Sequence, residues 1–348
     1  MSTEAITRPG VAALRRPVTA RLGWLAVLVA SIGVLVVLSV ALGTRGVSWD
    51  DILGGLFDTG QGDELGRAAV VKRVPRTMLA LLVGSSLAVS GATMQAITRN
   101  PLAEPGILGV SSGAALAVVT GVAFFGLSDP YGYMIVAVVG ASVASVFVYV
   151  VGSLGRGGAT PLKLALAGAA MSAAFSSLVN AILLPRVDVM TSFRFWQIGG
   201  VGGATWDRIG VVAPFLAVGV LICLFNARGM NTLALGDELA VGLGAGVART
   251  RIGAAVGAVL LCGIATSIAG PIAFVGLVVP HVCRLLVGSD HRWLLPVSAL
   301  GGAALLVLAD VVGRLVARPE EVEVGIVTAV IGAPVLIWVV RRQRLREL

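Results

Sequence analysis

The feature that most constrains this chain is a series of long apolar segments separated by short polar ones. About 20 apolar residues in a helix cross the hydrocarbon core of a bilayer, which is roughly 30 Å thick. Hydrophobic residues make up 57% of the 348 positions and charged residues 13%, whereas a soluble domain carries about 25% charged residues. The sequence therefore predicts an all-α, polytopic membrane protein. The ten candidate spans are residues 22–42, 77–98, 107–126, 133–154, 162–184, 209–226, 251–269, 272–287, 293–313 and 324–340.

The ends of the chain are polar and basic, and they bound one membrane domain. We expect a basic tail over residues 1–21, a single ten-span domain over residues 22–341, and a second basic tail over residues 342–348. The first apolar run is longer than the core of a signal peptide, and no small-residue cleavage site follows it. A retained first span is the favoured interpretation, and a cleaved signal is the alternative.

The distribution of basic residues predicts the orientation. An even number of spans puts both termini on one side, and that side carries 16 of the 26 lysines and arginines, including four in residues 341–346. Because cytoplasmic loops are enriched in lysine and arginine, both termini are expected in the cytoplasm. The basic residues are dispersed among the loops and do not form one stripe, so the net charge of +8 does not indicate nucleic-acid binding.

Residues 73–109 place a Gly- and Ser-rich apolar helix between two polar segments. Arg73 and Arg76 lie at its external end, and Pro75 is expected in its first turn, where a missing N–H costs nothing. At the cytoplasmic end two prolines and a glycine stop the helix, and Asn100 suits the left-handed position at a helix end. A plain tight turn explains this segment, which consists of Asn100, Pro101, Leu102, Ala103, Glu104, Pro105 and Gly106.

Two external segments are long enough to fold. Residues 43–72 contain Trp49, Ile52, Leu53 and Leu56, an amphipathic pattern suited to a short helix on the membrane surface. Residues 185–208 carry aromatic side chains that are expected at the level of the lipid headgroups. These are Phe193, Phe195, Trp196 and Trp206.

The cytoplasmic segment between the sixth and seventh spans has the pattern of a short helix. Asp237 and Glu238 would lie in its first turn, where the helix dipole favours negative charge. Leu239, Leu243 and Val247 are four residues apart and would form one apolar stripe. An ordinary loop helix resting against the membrane is the alternative interpretation.

Several kinds of site are missing from the sequence. Neither Lys72 nor Lys163 belongs to a GxxxxGK[ST] loop, so the chain has no Walker-type phosphate loop. Asp310 is the one carboxylate well inside a predicted span, and it lies near the outer end. Ion-coupled carriers usually place ionisable groups at mid-membrane. Energy for uphill transport would therefore come from another subunit.

Two functions from other classes would need different residues from those of such a transport subunit. An ion-coupled secondary carrier would need Asp310 or Glu104 to titrate during transport. An intramembrane enzyme would need a nucleophile–base pair or a metal-binding pair inside the membrane. His281 and His291 are ten positions apart and near loops, a spacing that does not favour such a pair. The three cysteines lie in apolar runs without CxxC spacing, which is typical of small buried hydrophobes and predicts neither a metal site nor a disulfide.

Arg73-Val-Pro-Arg76 followed by NPLAEPGILG resembles the permease subunits of iron–siderophore, haem and cobalamin ABC importers, the FecCD-type family. The resemblance covers about residues 22–341 and continues at LALGDELA (233–240), GPIAFVGLVVPH (270–281) and GIVTAVIGAP (325–334). One departure is Glu323, which stands where the family usually has the proline of E-L-P-x-G.

This resemblance implies a type II ABC importer permease fold in the cytoplasmic membrane of a bacterium. It implies import of an iron(III)–siderophore, or alternatively of haem or cobalamin, by alternating access. No cofactor is expected on this chain, because ATP and Mg are used by a separate ATPase. The implied partners are a second permease (itself or a paralogue), two ATPase subunits and an external substrate-binding protein, within membrane lipid and without nucleic acid.

The resemblance also implies roles for particular residues. Arginines matching Arg73, Arg76 and Arg314 face acidic residues of the binding protein, although arginines at span ends also commonly just mark the interface. An inner gate is placed near Thr160, Pro161 and Leu162. Residues 230–247 correspond to the coupling helices that fit a cleft of the ATPase. Within them the coupling residues are Leu235, Gly236, Asp237, Glu238, Leu239, Ala240, Leu243 and Gly244.

Overall fold

The computed structural model describes residues 17–154 and 161–344. The regular elements over these ranges are helices, which confirms the predicted fold class. A 3₁₀ helix, Pro105–Leu108, precedes the fourth α-helix. The α-helices are α1 (Val18–Ala41), α2 (Trp49–Phe57), α3 (Glu64–Thr98), α4 (Val110–Phe125), α5 (Pro130–Ser153), α6 (Pro161–Leu183), α7 (Val187–Ile198), α8 (Trp206–Phe225), α9 (Ala227–Leu233), α10 (Asp237–Gly242), α11 (Val247–Ala269), α12 (Val275–Val287), α13 (His291–Val316) and α14 (Val324–Arg344).

The helices agree with the ten predicted spans. In the described part of the chain, seven helices are long and apolar enough to cross a membrane, namely α1, α3, α5, α6, α8, α11 and α13. The shorter apolar helices α4, α12 and α14 coincide with the remaining three predicted spans. Helix α1 begins at Val18 and α14 reaches Arg344, so both helices extend into the predicted tails.

Helix α3 is the centre of the bundle, and 78% of its apolar window is buried inside the protein. It packs against α1, α8, α11, α12 and α13. Two of these contacts depend on glycine. A Cβ on Gly84 would overlap the carbonyl oxygen of Gly302 on α13, and a Cβ on Gly91 would overlap that of Gly276 on α12. Small residues allow helix backbones to approach closely in this way.

The start of α3 differs from the prediction. It lies at the end of the bundle that the sequence predicts to be external, which is called the external end below. The helix begins at Glu64, so Pro75 lies eleven residues inside it and not in its first turn. The prediction was wrong because residues 64–72, which include good helix formers such as alanine, leucine and glutamate, continue the helix outward although three charged residues interrupt the apolar run. Pro75 is buried, and membrane helices tolerate such prolines because neighbouring groups satisfy the freed carbonyl.

The eighth span is broken, as the sequence predicts. Gly270 and Phe274 both have positive φ values, 71° and 69°, which do not fit a right-handed helix. Helix α12 therefore starts only at Val275. The break is held at its outer side, where the Gly200 N–H donates to the Ala269 carbonyl over 2.8 Å.

The two segments that the sequence predicts to be external differ in how well the structure agrees with the prediction. The predicted surface helix is α2, whose apolar side chains Trp49 and Phe57 are 74% and 70% exposed. In the second segment Trp206 is exposed, but Phe193 is buried and its ring centroid lies 5.6 Å from that of Trp196. Helix α7 therefore turns the Phe193 side chain inward onto the bundle, and its predicted position at the level of the lipid headgroups stays a prediction. The side chain of Phe195 lies outside the described set.

The glycine contacts of α3 give a stability prediction. Gly91→Ala should lower the free energy of unfolding by about 1–3 kcal/mol, the usual cost of overpacking, because the new methyl group meets the α12 backbone. Gly33→Ala on the exposed side of α1 meets nothing and should be neutral or stabilising by up to about 1 kcal/mol. Thermal unfolding of both variants in detergent checks this. Equal melting temperatures would contradict the packing account.

Candidate functional sites at the two ends of the bundle

A buried charge cluster lies at the external end. Asp310 on α13 is 1% exposed, and its two carboxylate oxygens face different arginines. Arg76 Nη2 on α3 lies 2.8 Å from Oδ1, and Arg314 Nη2 lies 2.9 Å from Oδ2. Arg76 Nη1 also contacts Glu321 Oε2 at 2.6 Å. We call these four residues the outer charge cluster.

Arg314 also binds the end of α1, and Arg73 does the same from α3. Arg314 Nη1 donates to the carbonyls of Ser39 and Leu42, each over 3.0 Å. Arg73 Nη1 donates to the Val40 carbonyl over 2.9 Å. The last carbonyls of a helix have no partner within the helix, and cations are favourable there. The two arginines therefore cap α1 and join it to α3 and α13.

This geometry bears on the predicted docking role of Arg73, Arg76 and Arg314. The side chains of Arg73 and Arg314 are 7% and 2% exposed, and both donate to groups of this chain. A docked protein would reach them only after these hydrogen bonds opened. Arg76 is nearer the surface, because its partner Glu321 is 36% exposed. The docking role stays a prediction.

Glu323, the departure from the family motif, lies beside this cluster. Its Oε2 is buried and has no hydrogen-bond partner among the described residues. The carboxylate packs against Gly200 in the loop between α7 and α8. Burial raises the pKa of Glu323. A proline at this position would have no such carboxylate to bury.

At the opposite end, which the sequence predicts to be cytoplasmic and which is called the cytoplasmic end below, α9 and α10 are separated by a sharp turn. Gly236 has a φ of 103°, which favours glycine. Asp237 then starts α10, and its Oδ1 lies 3.2 Å from Arg99 Nη2 and 3.0 Å from Arg251 Nη2. The structure thus ties α10 to the end of α3 and to the first turn of α11.

Beyond this turn the chain exposes apolar side chains. Their exposed fractions lie between 55% and 68%, and we call them the coupling patch: Leu235, Leu239, Val241 and Leu243. Ala240 is buried beneath them, Glu238 is exposed, and Gly244 follows with a φ of 78°. The predicted stripe included Val247, but that residue begins α11. Contiguous exposed apolar residues typically mark an interaction surface.

Sequence reasoning missed Asn231, which connects α9 to α13. Its Nδ2 donates to Asp290 Oδ1 over 2.7 Å, and its Oδ1 accepts from the His291 backbone N–H over 2.8 Å. Partial burial raises the pKa of Asp290, but hydrogen bonds from Arg292 and Asn231 outweigh it and lower the pKa to about 2. The carboxylate therefore keeps its charge until the pH falls through about 2. The only sequence signal was an amide within an apolar helix.

The turn that follows α3 runs from the cytoplasmic end back into the bundle. Arg99, not Asn100, adopts the left-handed conformation, with a φ of 50°. Asn100 instead accepts a hydrogen bond from the Leu102 N–H with its side chain, over 2.9 Å. Glu104 then lines a cavity of about 260 Å³ together with Leu87, which lies eleven residues, or roughly 16 Å, before the end of α3.

Only part of the predicted inner gate lies within the described residues. Thr160 lies outside the described residues, and Pro161 begins α6. Leu162 is 69% exposed. The gate assignment stays a prediction.

Comparison with known proteins decides the family. The model of the FecCD transport family matches residues 31–342. The chain belongs to this family. It is 41% identical over 306 residues to the probable siderophore transport system permease protein YfiZ of Bacillus subtilis (strain 168), covering 87% of this chain and 91% of the relative.

Two further matches agree with this FecCD assignment. The ferric enterobactin transport system permease protein FepD of Escherichia coli (strain K12) is 47% identical over 272 residues, covering 78% of this chain and 81% of that protein. A solved structure, described as an inward-facing conformation of a metal-chelate type ABC transporter, has a TM-score of 0.80 and 29% identity. That match covers 92% of this FecCD chain and 99% of the other. The family consists of permeases, which are non-enzymatic membrane subunits.

The outer charge cluster gives a second stability prediction. Asp310→Asn should lower the free energy of unfolding by about 3–5 kcal/mol, because it leaves two buried guanidinium groups without their shared counter-charge. Asp63→Asn is the matched control, since Asp63 pairs with Arg45 where both side chains are more than half exposed. That pair should contribute less than about 1 kcal/mol. Equal losses in the two variants, measured by thermal unfolding, would refute the structural role of the cluster.

Proposed function

We propose that this FecCD chain is the membrane-spanning subunit of a binding-protein-dependent ABC importer for an iron(III)–siderophore or a related metal chelate. The names of the relatives support the cargo class, and they describe siderophore and ferric enterobactin permeases. The observation that carries the proposal is the coupling patch. Two of its exposed apolar side chains lie on α10, which is tied to α3 and α11, and the other two lie just before and just after this helix. An exposed apolar surface of this kind is suited to a protein partner.

The proposed partner at this patch is an ATPase subunit. The sequence has no phosphate-binding loop of its own, so ATP and Mg belong to the partner. Two polar contacts connect the segment that carries the coupling patch to the bundle. Asp237 connects α10 to Arg99 at the end of α3, and Asn231 connects α9 to the start of α13. A movement of α9 and α10 would therefore reach two helices that pack on each other.

The second proposed partner is another permease, seated on α6 and α14. Both helices leave apolar side chains exposed: Leu166 at 63% on α6, and Val330 at 68% and Ile337 at 59% on α14. Helix α6 packs on the 3₁₀ helix and α14 packs on α12, so these two faces flank the cavity that contains Glu104. A second permease there would close this side of the cavity. With two permeases, two ATPases are expected. We also propose that both termini lie in the cytoplasm, on the side that carries most of the lysines and arginines.

The coupling role gives a functional prediction. Combined replacement of Gly236, Asp237 and Leu239 by Ala, Asn and Ser should uncouple ATP hydrolysis from uptake of a ferric siderophore. The chain should stay folded, because Leu239 is 63% exposed and the ion pairs of Asp237 are solvent-accessible. Alanine at the positive φ of Gly236 adds strain of about 1–3 kcal/mol, which is confined to the turn between α9 and α10. Reconstituted importer, assayed for hydrolysis and for radioactive iron uptake, gives the measurement.

Leu56→Ser is the control for loss of an exposed leucine, since Leu56 is 45% exposed on the external helix α2. It should leave hydrolysis and uptake unchanged. If the triple variant hydrolyses ATP in response to cargo and imports iron as the unmodified importer does, the coupling assignment is wrong.

Docking of an external binding protein is proposed at the outer charge cluster. Arg76 is its most accessible arginine, and guanidinium–carboxylate pairs suit such contacts. Arg76→Gln should weaken docking, and the difference from the unmodified chain should shrink as salt rises. Binding-protein affinity measured in nanodiscs at several salt concentrations tests this. An unchanged affinity at every salt concentration would remove Arg76 from the docking surface.

A further inference from the structure

A cavity of about 380 Å³ lies at the external end, away from the coupling patch and from Glu104. Its sides come from α4, α5, α7 and α8, and its floor comes from the last turn of α11, which contributes Ile268. Helices α5 and α8 both pack on α11, but they have scarcely any contact with each other. The cavity therefore occupies a cleft between two helices of the bundle perimeter.

The depth of the cavity corresponds to the outer leaflet. Its upper rim includes Tyr131 in the first turn of α5 and Arg208 in the first turn of α8. Its lower part includes Val118, which lies seven residues, or roughly 10 Å, below the outer end of α4. Tyrosine and tryptophan favour the headgroup level of a bilayer, and Tyr131 and Trp196 lie on this cavity.

The helices on either side of the cleft expose apolar residues outward. Ile135 and Val139 on α5 are 60% and 56% exposed, and Phe215 and Val218 on α8 are 55% and 49% exposed. In a membrane-spanning helix such faces contact lipid chains. The cleft is continuous with this lipid-facing surface, so a lipid chain can enter it sideways without crossing a polar barrier.

The two ends of the cavity differ in chemistry. Among its described lining residues, Arg208 alone is charged. Its Nη1 donates to the Gly203 carbonyl over 3.0 Å, and no carboxylate among the described residues forms an ion pair with it. A guanidinium offers a planar set of donors that matches phosphate oxygens. Below it the walls are apolar, with Val118, Met134 and Ile268.

We propose that this cavity is a binding site for one anionic phospholipid of the outer leaflet. The phosphate lies against Arg208, and one acyl chain lies between α5 and α8 on α11. Cargo is a poorer match, because the cavity offers one cation at its rim and an apolar interior. The occupant would contact Trp196, whose indole N–H reaches the Ser267 carbonyl of α11 over 3.4 Å. The bound lipid would thereby stabilise the packing of α7 against the outer end of α11.

The test uses the full chain in phosphatidylcholine nanodiscs that contain phosphatidylglycerol with a photoreactive group at the end of one acyl chain. After illumination, labelled peptides are mapped by mass spectrometry. Labelling is expected on the cavity-facing residues of α4, α5 and α11. Arg208→Gln should reduce it about tenfold, because the phosphate loses the one cation among the described lining residues of the cavity; a tenfold change corresponds to about 1.4 kcal/mol of binding free energy. Arg194→Gln, which removes an exposed arginine of α7 that does not line the cavity, should leave it unchanged.

A second variant keeps the test decisive if Arg208→Gln folds poorly. Val118→Phe fills the lower part of the cavity and should abolish labelling of α4 and α11 without removing any charge. Labelling spread evenly over the outward faces of α5 and α8, or equal in all variants, would show ordinary annular lipid and overturn the site. A loss of cavity labelling when a ferric siderophore is present during illumination would assign the cavity to cargo. That result would also overturn the proposed lipid site.

Discussion

Close backbone contact around α3 is the interaction on which the rest of the structure depends. Lipid chains are as apolar as the side chains they contact, so helices in a bilayer gain little by hiding apolar surface from one another. The gain comes from packing, and packing is closest where no Cβ intervenes. Gly84 against Gly302, and Gly91 against Gly276, place α13 and α12 directly on α3. Once these helices are fixed, the outer charge cluster and the Glu104 cavity have defined walls.

The charges are organised around the same helix. At its external end Arg76 reaches Asp310 of α13, while Arg73 caps α1. At its cytoplasmic end Arg99 reaches Asp237 of α10. An unpaired charge in a low-dielectric interior is costly, so the buried external pairs hold the helices together. The cytoplasmic pair is far more exposed and can rearrange at lower cost, as a coupling element requires. The two ends of α3 are therefore suited to different tasks, one rigid and one adjustable.

The sequence predicts the membrane class, the helix positions and the broken eighth span, because apolar length and Gly-Pro pairs are local signals. Its errors concern contacts between distant residues. The pattern around Pro75 predicts a helix start, yet α3 begins at Glu64, because three charged residues interrupt the apolar signal of the segment that prolongs it. Phe193 is predicted to be an interfacial aromatic, but the sequence does not indicate that it is buried inside the bundle. No periodicity could indicate that Asn231 meets Asp290, or that Arg314 meets Ser39, because these partners are 59 and 275 positions apart.

The proposed import function depends most heavily on the coupling patch being a docking surface for an ATPase. The most direct measurement is purification of the detergent-solubilised chain from its native membrane, with a photoreactive amino acid at Leu239 and mass spectrometry of what is captured. The account predicts that Leu239 crosslinks to an ATPase subunit, and that a second permease or a second copy of this chain purifies with it. Recovery of the chain alone, with no crosslink at Leu239 and with uptake driven by an ion gradient, would contradict it.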